Sequence, residues 1–519
     1  MGTAAYPFLT IANANLLLAH GSAEQVEQYV TPMVEGRFFG TMCLSEPQAG
    51  SSLADITTRA EPRDDGTFRL FGNKMWISGG DHELSENIVH LVLAKITGGP
   101  SGVRGISLFV VPKILVGSGE RNDVVLAGVD HKMGYRGTVN TLLNFGEGKY
   151  TPEGAPGAVG YLVGEPHRGL AQMFHMMNGA RVGVGGGAAA LGVTGYLHAL
   201  EYARTRTQGR PATAEGGPPV PIVEHPDVAR MLLAQKSYAE GAVALVLYCA
   251  RVLDEERTAP TPDERARAHL LLDTLTPIAK SRPSQWCLVA NDLAIQVHGG
   301  YGYTREYAVE QFYRDNRLNP IHQGTHGIQG LDLLGRKVVT DGGSGLTVLL
   351  VAITATVEGA RAAGLTEEAD ALGAASDRVG DVTRTLWSAE DPGVPLANSS
   401  TYLEAVGHVV VAWMWLEQLI AVRGREGDFY DGKRVAARYS SGTSCPGPAH
   451  SPRSWKAWTA PPSTSVPPGC DQRSRTEPVV TPSREEAMHT TSRSPRSQLT
   501  SSGPTWNSPI VTSLIAFGA

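Results

Sequence analysis

Between Gly40 and Phe145 the chain alternates short apolar runs, "TFRLFG", "NIVHLVLAKI", "GISLFVVPK" and "TLLNFG", with clusters of Gly, Asp and Pro. A period near two, bounded by turn residues and repeated several times, predicts an antiparallel β domain over residues 40–147. The period then lengthens. "GLAQMFHMMNGARVGVGGGAAALGVTGYLHALEYARTR" (Gly169–Arg206) reads as one long helix, and its Ala/Gly-rich middle predicts close packing against another helix. A polar Pro/Gly-rich connection (Gly209–Pro221) leads to two more amphipathic helices, "HPDVARMLLAQKSYAEGAVALVLYCARVLDEE" and "ERARAHLLLDTLTPIAKSRPSQWCLVANDLAIQVHG", so residues 165–338 are expected to form a helical bundle. A second, smaller helical module is expected over 339–439, with "LTVLLVAITATVEGARAAG" and "TYLEAVGHVVVAWMWLEQLIAVRG" as its clearest segments. From Ser440 the chain turns to Ser, Thr and Pro without apolar periodicity. Such a segment buries too little apolar surface to offset its ordering entropy, and 440–519 is expected to be disordered. The fold class these patterns predict is α+β.

Composition narrows the function classes. A chain of 519 residues that is 42% hydrophobic can bury a large core and has room for about three or four domains. Its net charge of −6 gives no basic footprint for nucleic acid, and no uninterrupted apolar run approaches the ~20 residues of a membrane span. A cytoplasmic location is the default expectation. Cys43, Cys249, Cys287, Cys445 and Cys470 are scattered and include no CxxC pair, so neither a metal site nor a disulfide framework is expected.

Three stretches carry candidate chemistry. In "MCLSEPQAGSSLAD" (Met42–Asp55), Gly50, Ser51 and Ser52 offer unhindered N–H and hydroxyl donors suited to a phosphate, although the same residues also make an ordinary surface turn. "FGNKMWISGG" (Phe71–Gly80) fits either a half-buried strand or a wall on which a flat heterocycle could lie. The Gly-Gly-Tyr-Gly-Tyr of "LAIQVHGGYGYTREYAVEQFYRDNR" (Leu293–Arg317) is either a helix stop or a glycine-lined approach for a cofactor phosphate. Its spacing is not that of a Rossmann fingerprint and no βαβ unit surrounds it, which disfavours a nicotinamide enzyme of that fold.

The order of "LSEPQAGSS", "NKMWISGG", "IQVHGGYGYTREY…FYRDNR" and "GTHGIQ" resembles the acyl-CoA dehydrogenase family of flavoproteins from about residue 8 to Tyr439, and most strongly its subgroup with an additional C-terminal helical domain. The resemblance implies a partial N-terminal helical segment (1–39), the central β domain, the bundle and the extra module. It implies FAD between the β domain and the bundle, in a homodimer or homotetramer whose neighbouring subunit contacts the ADP half. It also implies an acyl-CoA substrate, a role in fatty acid metabolism and an electron-transfer flavoprotein as electron acceptor. Carried over residue by residue, Leu44 and Ser45 would hydrogen-bond the flavin ring, and Ser51 would lie near the pyrophosphate or substrate. Trp76, Ile77 and Ser78 would form the flavin-side wall, Arg206, Gln296, Gly299 and Gly300 would hold the ADP portion, and Thr325 would sit beside the flavin.

The family's reaction removes the α-proton of an acyl-CoA thioester while the β-hydrogen leaves as hydride, so it needs a base. Most relatives place a glutamate immediately before the Gly-Thr of the last motif, where this chain has Gln323. An amide does not accept a proton at ordinary pH. A minority place the glutamate just before the arginine that corresponds to Arg181, and this chain has Ala180 there. The backbone N–H of residue 323 would still be available to the thioester carbonyl. His322 and His326 flank it as candidate stand-in bases. Two readings stand: a dehydrogenase, or a catalytically impaired relative that binds FAD and acyl-CoA. The N-terminus is expected to be the last part of a longer helical domain. The tail is expected to be a frameshift product, because reading a GC-rich coding sequence for the subgroup's "FRYELPRTGP" one base later can yield "SGTSCPGPAH" (Ser441–His450).

Overall fold

A computed structural model describes residues 5–210 and 216–442. The expected disorder and frameshift of the tail lie outside these residues from 443 onward, and the last helix continues to Gly442, past the expected boundary at Ser440.

The chain opens with α1 (Ala5–His20), which docks on the first strand through buried Leu16 and Leu17 and through Asn13. The Asn13 amide donates to the carbonyls of Thr41 and Val89, at 3.2 and 3.0 Å, and so clips the helix to two adjacent strands. Eight strands follow: β1 (Phe38–Cys43), β2 (Arg59–Pro62), β3 (Phe68–Ser78), β4 (Asn87–Ile96), β5 (Ile106–Pro112), β6 (Val124–Val129), β7 (Asn140–Phe145) and β8 (Ala158–Leu162). Their order is β1-β4-β5-β8-β3-β7-β6, with β2 beside β3 and β4.

Most pairs are antiparallel, as the alternation predicts, but β1 and β2 both run parallel to β4. A short hairpin would reverse the chain, whereas the long passage from residue 44 to 86 carries it back to re-enter in the same direction. The β domain also extends beyond the expected limit at 147, because β8 inserts between β5 and β3. Its five residues, set among Gly and Pro, are too short a run to show a period.

The bundle consists of α2 (Gly169–Thr205), α3 (Pro226–Thr258) and α4 (Pro262–His298), followed by the short α5 (Val309–Asn316) and α6 (His326–Asp332). The small residues of α2 do what their pattern predicts. A Cβ built on Gly185 would lie 2.0 Å from the Ala279 carbonyl oxygen, and one on Gly192 would lie 2.7 Å from the Cys287 Cβ. Pro283 lacks the N–H that would otherwise pair with the Ala279 carbonyl, so this freed oxygen faces the one residue type that can approach it.

The last module consists of α7 (Thr340–Ala362), α8 (Thr366–Leu386), α9 (Ser399–Ala421) and α10 (Asp428–Gly442). It is not a separate body. One apolar cluster joins Leu245, Leu275 and Ile278 of the bundle to Val357, Val406, Val410 and Trp413 of the module. Contrary to the expectation from uninterrupted runs, α7 and α9 have the length and mean hydropathy of membrane spans. In α9 the apolar residues are accounted for by burial in this shared core.

Candidate active site

Two small polar motifs of the β domain are locked together by one buried ion pair. Glu46, in "LSEPQAGSS", and Lys74, on β3, meet at 2.9 Å with neither side chain exposed. The Glu46 carboxylate also accepts the N–H groups of Thr57 (2.7 Å) and Thr58 (3.0 Å) and both threonine hydroxyls (2.9 and 2.6 Å). Burial alone would raise its pKa, but the Lys74 charge and these donors outweigh burial and hold it at about 2. Lys74 donates a second bond to the Leu44 carbonyl, and the Met75 N–H donates to the Ser45 carbonyl. Leu44 and Ser45 are thereby fixed beside the strand that carries Trp76.

At Trp76 that strand is broken by design of its backbone. The pairing of β3 with β7 shifts between Lys74 and Ile77, and Trp76 takes a φ of +66°, rare for an aromatic residue. The bulge turns the indole outward, 57% exposed, while Ile77 next to it is 2% exposed in the core. The Ile77 side chain faces the core, so any part it takes in the wall runs through its backbone. The Ser78 hydroxyl accepts the Asn140 amide at 2.9 Å.

The loop before β7 ties this wall to the bundle. Lys132 donates to the carbonyls of Tyr135 and Thr138 and to the Asn140 side chain, the Tyr135 N–H donates to Asp315 (2.6 Å), and Arg314 donates to the Met133 carbonyl (2.8 Å).

The Gln323 loop hangs from a ladder of buried amides. Asn291 donates to the Leu191 carbonyl, Asn316 to the Asn291 side chain and Asn319 to the Asn316 side chain, and His322 Nε2 lies 3.1 Å from Asn319 Oδ1. Gln323 and Gly324 then take φ values of +54° and +85°. Two side chains hold the carbonyls of this turn: Gln329 donates to Gln323 (2.8 Å) and Lys280 to Gly324 (2.7 Å). Thr325 caps α6, its hydroxyl accepting the Ile328 N–H at 3.4 Å.

Burial, and secondarily the Lys280 charge, pulls His322 down to about 3. That makes it a weaker base than a free imidazole. Burial also lowers His326, whose Nδ1 has no hydrogen-bond partner.

Arg206, Gln296, Gly299 and Gly300 assemble elsewhere. Arg206, Gly299 and Gly300 line an open groove with Tyr202, His298 and Tyr301, and exposed Gln296 stands at the same end of α4. Gly299 has φ +60° and ψ −137°, a region essentially restricted to glycine, and a Cβ there or on Gly300 would meet open space. The Arg206 guanidinium is exposed, sits over the Tyr301 ring and donates to the Gln208 side chain. No ion pair engages it among the described residues. Gly299 stands about 28 Å along α4 from Lys280 at roughly 1.5 Å per residue. The sequence-picked residues thus form two clusters: Leu44, Ser45, Trp76 and Ser78 at the β domain's wall, and the Arg206 groove at the far end of the bundle, while Ser51 stands exposed on the loop after Ser45. The Gln323–Thr325 turn follows both in the chain and lies on the bundle, held to α4 by Lys280.

The donor set fits the FAD that the resemblance implies. The groove offers a guanidinium and unhindered glycine N–H groups to phosphates, and the wall offers an exposed indole to a flat ring. Ser52 spends its hydroxyl on Asp55 (2.6 Å), whereas Ser51 stands exposed beside it.

Sequence reasoning missed Glu46, Lys74, Lys132, Asn140, Lys280 and Gln329. A signal existed for Lys280, a lone cation in the apolar stretch "TLTPIAK" between Pro277 and Pro283.

Comparison with known proteins places these motifs within one family. Residues 41–146 match the model described as "Acyl-CoA dehydrogenase, middle domain", 167–338 "Acyl-CoA dehydrogenase, C-terminal domain", and 349–446 "Acetyl-CoA dehydrogenase C-terminal like". The chain is 38% identical over 453 residues to 3-methylmercaptopropionyl-CoA dehydrogenase of Ruegeria pomeroyi, covering 83% of this chain and 74% of that one. It is 35% identical over 450 residues to the broad-specificity linear acyl-CoA dehydrogenase FadE5 of Mycobacterium tuberculosis, covering 82% and 73%. Among solved structures, Caenorhabditis elegans ACDH-11 in complex with C11-CoA shares the fold with a TM-score of 0.73 at 19% identity, over 88% of this chain and 73% of that one.

Proposed function

We infer the reaction from one premise: this chain belongs to the acyl-CoA dehydrogenase family, and within it to the subgroup with an additional C-terminal helical domain. It is accordingly a FAD-dependent oxidoreductase that acts on the α,β-bond of an acyl-CoA thioester. FAD, when bound, supplies the acceptor for the β-hydride. Trp76, Ser78, Leu44, Ser45 and Thr325 would hold its ring system, Ser51 would lie near its pyrophosphate or the substrate, and Arg206, Gln296, Gly299 and Gly300 would take an ADP half.

The protein's own work is then to hold the thioester and handle the α-proton. In this reading the residue 323 N–H binds the thioester carbonyl, where negative charge develops as the proton leaves. The observation that carries the assignment is the turn itself, left-handed at both 323 and 324 and pinned by Lys280 and Gln329. A second reading, a binding protein with impaired turnover, is favoured by one feature only, the amide at Gln323.

Other parts belong to the same proposal. The roughly 28 Å along α4 between the turn and the Arg206 groove suits an assembly in which the groove serves a neighbouring subunit's cofactor, hence a homodimer or homotetramer. An electron-transfer flavoprotein as acceptor, a role in fatty acid metabolism and a cytoplasmic location complete it.

Mixing the FAD-loaded protein anaerobically with a panel of saturated acyl-CoAs tests the reading. Bleaching of the flavin band by one of them supports the dehydrogenase. Tight binding without bleaching supports the impaired relative, and absence of both defeats the two together.

A further inference from the structure

Lys280 is 0% exposed, rises from α4 between two prolines, and donates to the Gly324 carbonyl at 2.7 Å. Among the described residues no carboxylate lies within ion-pair distance of it. The groups that face it are cationic or neutral: Arg181 of α2 and the half-buried His322 and His326 of the loop. Arg181 has its own partner, Asp332 at 2.9 Å, which Arg336 shares, and Glu404 of α9 acts on His326 and not on the lysine. An ammonium buried without a counter-charge is costly, so its retention calls for a task. Its single recorded acceptor is the peptide group next to the one expected to bind substrate.

We propose that Lys280 is a positioning residue for the reaction: its charged N–H, donated to Gly324, holds the 323–324 turn in its left-handed conformation and so aims the residue 323 N–H at the thioester carbonyl. This rests on the reading of residue 323 given above. Burial, reinforced by Arg181, lowers the ammonium to about 7. The folded protein therefore loses the Lys280 proton as pH rises through neutrality, while His322 stays neutral. A charged donor makes roughly twice as strong a bond as a neutral one. The turn should loosen, and thioester binding weaken, on the alkaline side.

The test uses the FAD-loaded full chain with butyryl-CoA as probe. Its Kd is measured by calorimetry between pH 6 and pH 9, and amide hydrogen exchange over residues 321–326 is followed alongside. The expected result is a wild-type Kd that rises about threefold to tenfold across this range. Lys280→Arg, which cannot lose its charge, should show a flat profile. Lys280→Met should bind about tenfold or more weakly at pH 6 and exchange faster in the turn. A flat wild-type profile, or a Lys280→Met protein with unchanged affinity and exchange, overturns the proposal. Should Lys280→Met not fold, the comparison of wild type with Lys280→Arg still decides. Should no form bind butyryl-CoA, the reading of residue 323 fails, while the exchange measurement still reports whether Lys280 holds the turn.

Discussion

The Glu46 carboxylate and the Lys74 ammonium, distant in sequence, meet at 2.9 Å with neither side chain exposed, and both also grip backbone on either side of them. Removing one partner leaves the other charge buried alone, which costs about 3–5 kcal/mol. Lys74→Met should therefore lower urea stability by that amount and weaken FAD binding, since Leu44 and Ser45 lose their tether. Glu46→Leu combined with Lys74→Met should cost less than the sum of the single changes. Additive losses would show that the two residues act independently.

The same pair sets a pH dependence. Because the Glu46 pKa is depressed to about 2 from an ordinary 4.5, its contribution is complete above 4.5 and drains away as pH falls toward 2. Thermal melts from pH 5 down to 2.5 should show this loss. Glu46→Gln should melt lower at pH 5 and show a shallower slope.

Trp76 is placed for exposure at the expense of its backbone. A φ of +66° on a non-glycine residue costs about 1–3 kcal/mol, and glycine is free of that cost. Trp76→Gly should leave the Tm unchanged or raise it while FAD affinity falls by about fivefold or more, from loss of a stacking surface worth roughly 1 kcal/mol or more. A lower Tm with unchanged FAD affinity would make the indole a packing element.

Gly185 predicts a steric effect of definite sign. Its missing side chain makes room for the Ala279 carbonyl oxygen, which would lie 2.0 Å from a Cβ. Gly185→Ala gains helix propensity, yet it must push two long helices apart, and overpacking of this kind costs about 1–3 kcal/mol or more. The Tm should fall. Gly179→Ala, on the same helix with no atom near its Cβ, should leave the Tm equal or higher.

The β domain and the bundle were legible because period two and period 3.6 are set by which faces are buried, and those faces run for many residues. The direction of β1 was not, since alternation looks the same in parallel and antiparallel pairs. Nor was the inward turn of Ile77: a one-residue bulge at Trp76 flips the face, and that flip depends on a backbone angle that no spacing of apolar residues records. Of the site, "LSEPQAGSS" and "NKMWISGG" could be picked out, but the pairing of Glu46 with Lys74 joins strands that only the fold brings together. The lone cation in "TLTPIAK" was visible, but Lys280's lack of a counter-charge appears only once α2, α4 and the Gln323 turn are packed.

Gln323 carries the last prediction. Its φ of +54° and its carbonyl bond from Gln329 belong to the backbone, so Gln323→Glu should keep the turn and replace an amide with a carboxylate of nearly equal volume. A well-placed general base contributes ~10²–10⁴ in rate, or roughly 3–5 kcal/mol of barrier. Anaerobic flavin reduction by acyl-CoA should accelerate by that factor in Gln323→Glu, while the acyl-CoA Kd changes far less, because the thioester carbonyl is held through the residue 323 N–H. If the wild-type chain reduces flavin as fast as Gln323→Glu, the α-proton leaves to another group. The half-buried His326, with its unpartnered Nδ1, is then the residue to replace, and His326→Ala should abolish the reduction.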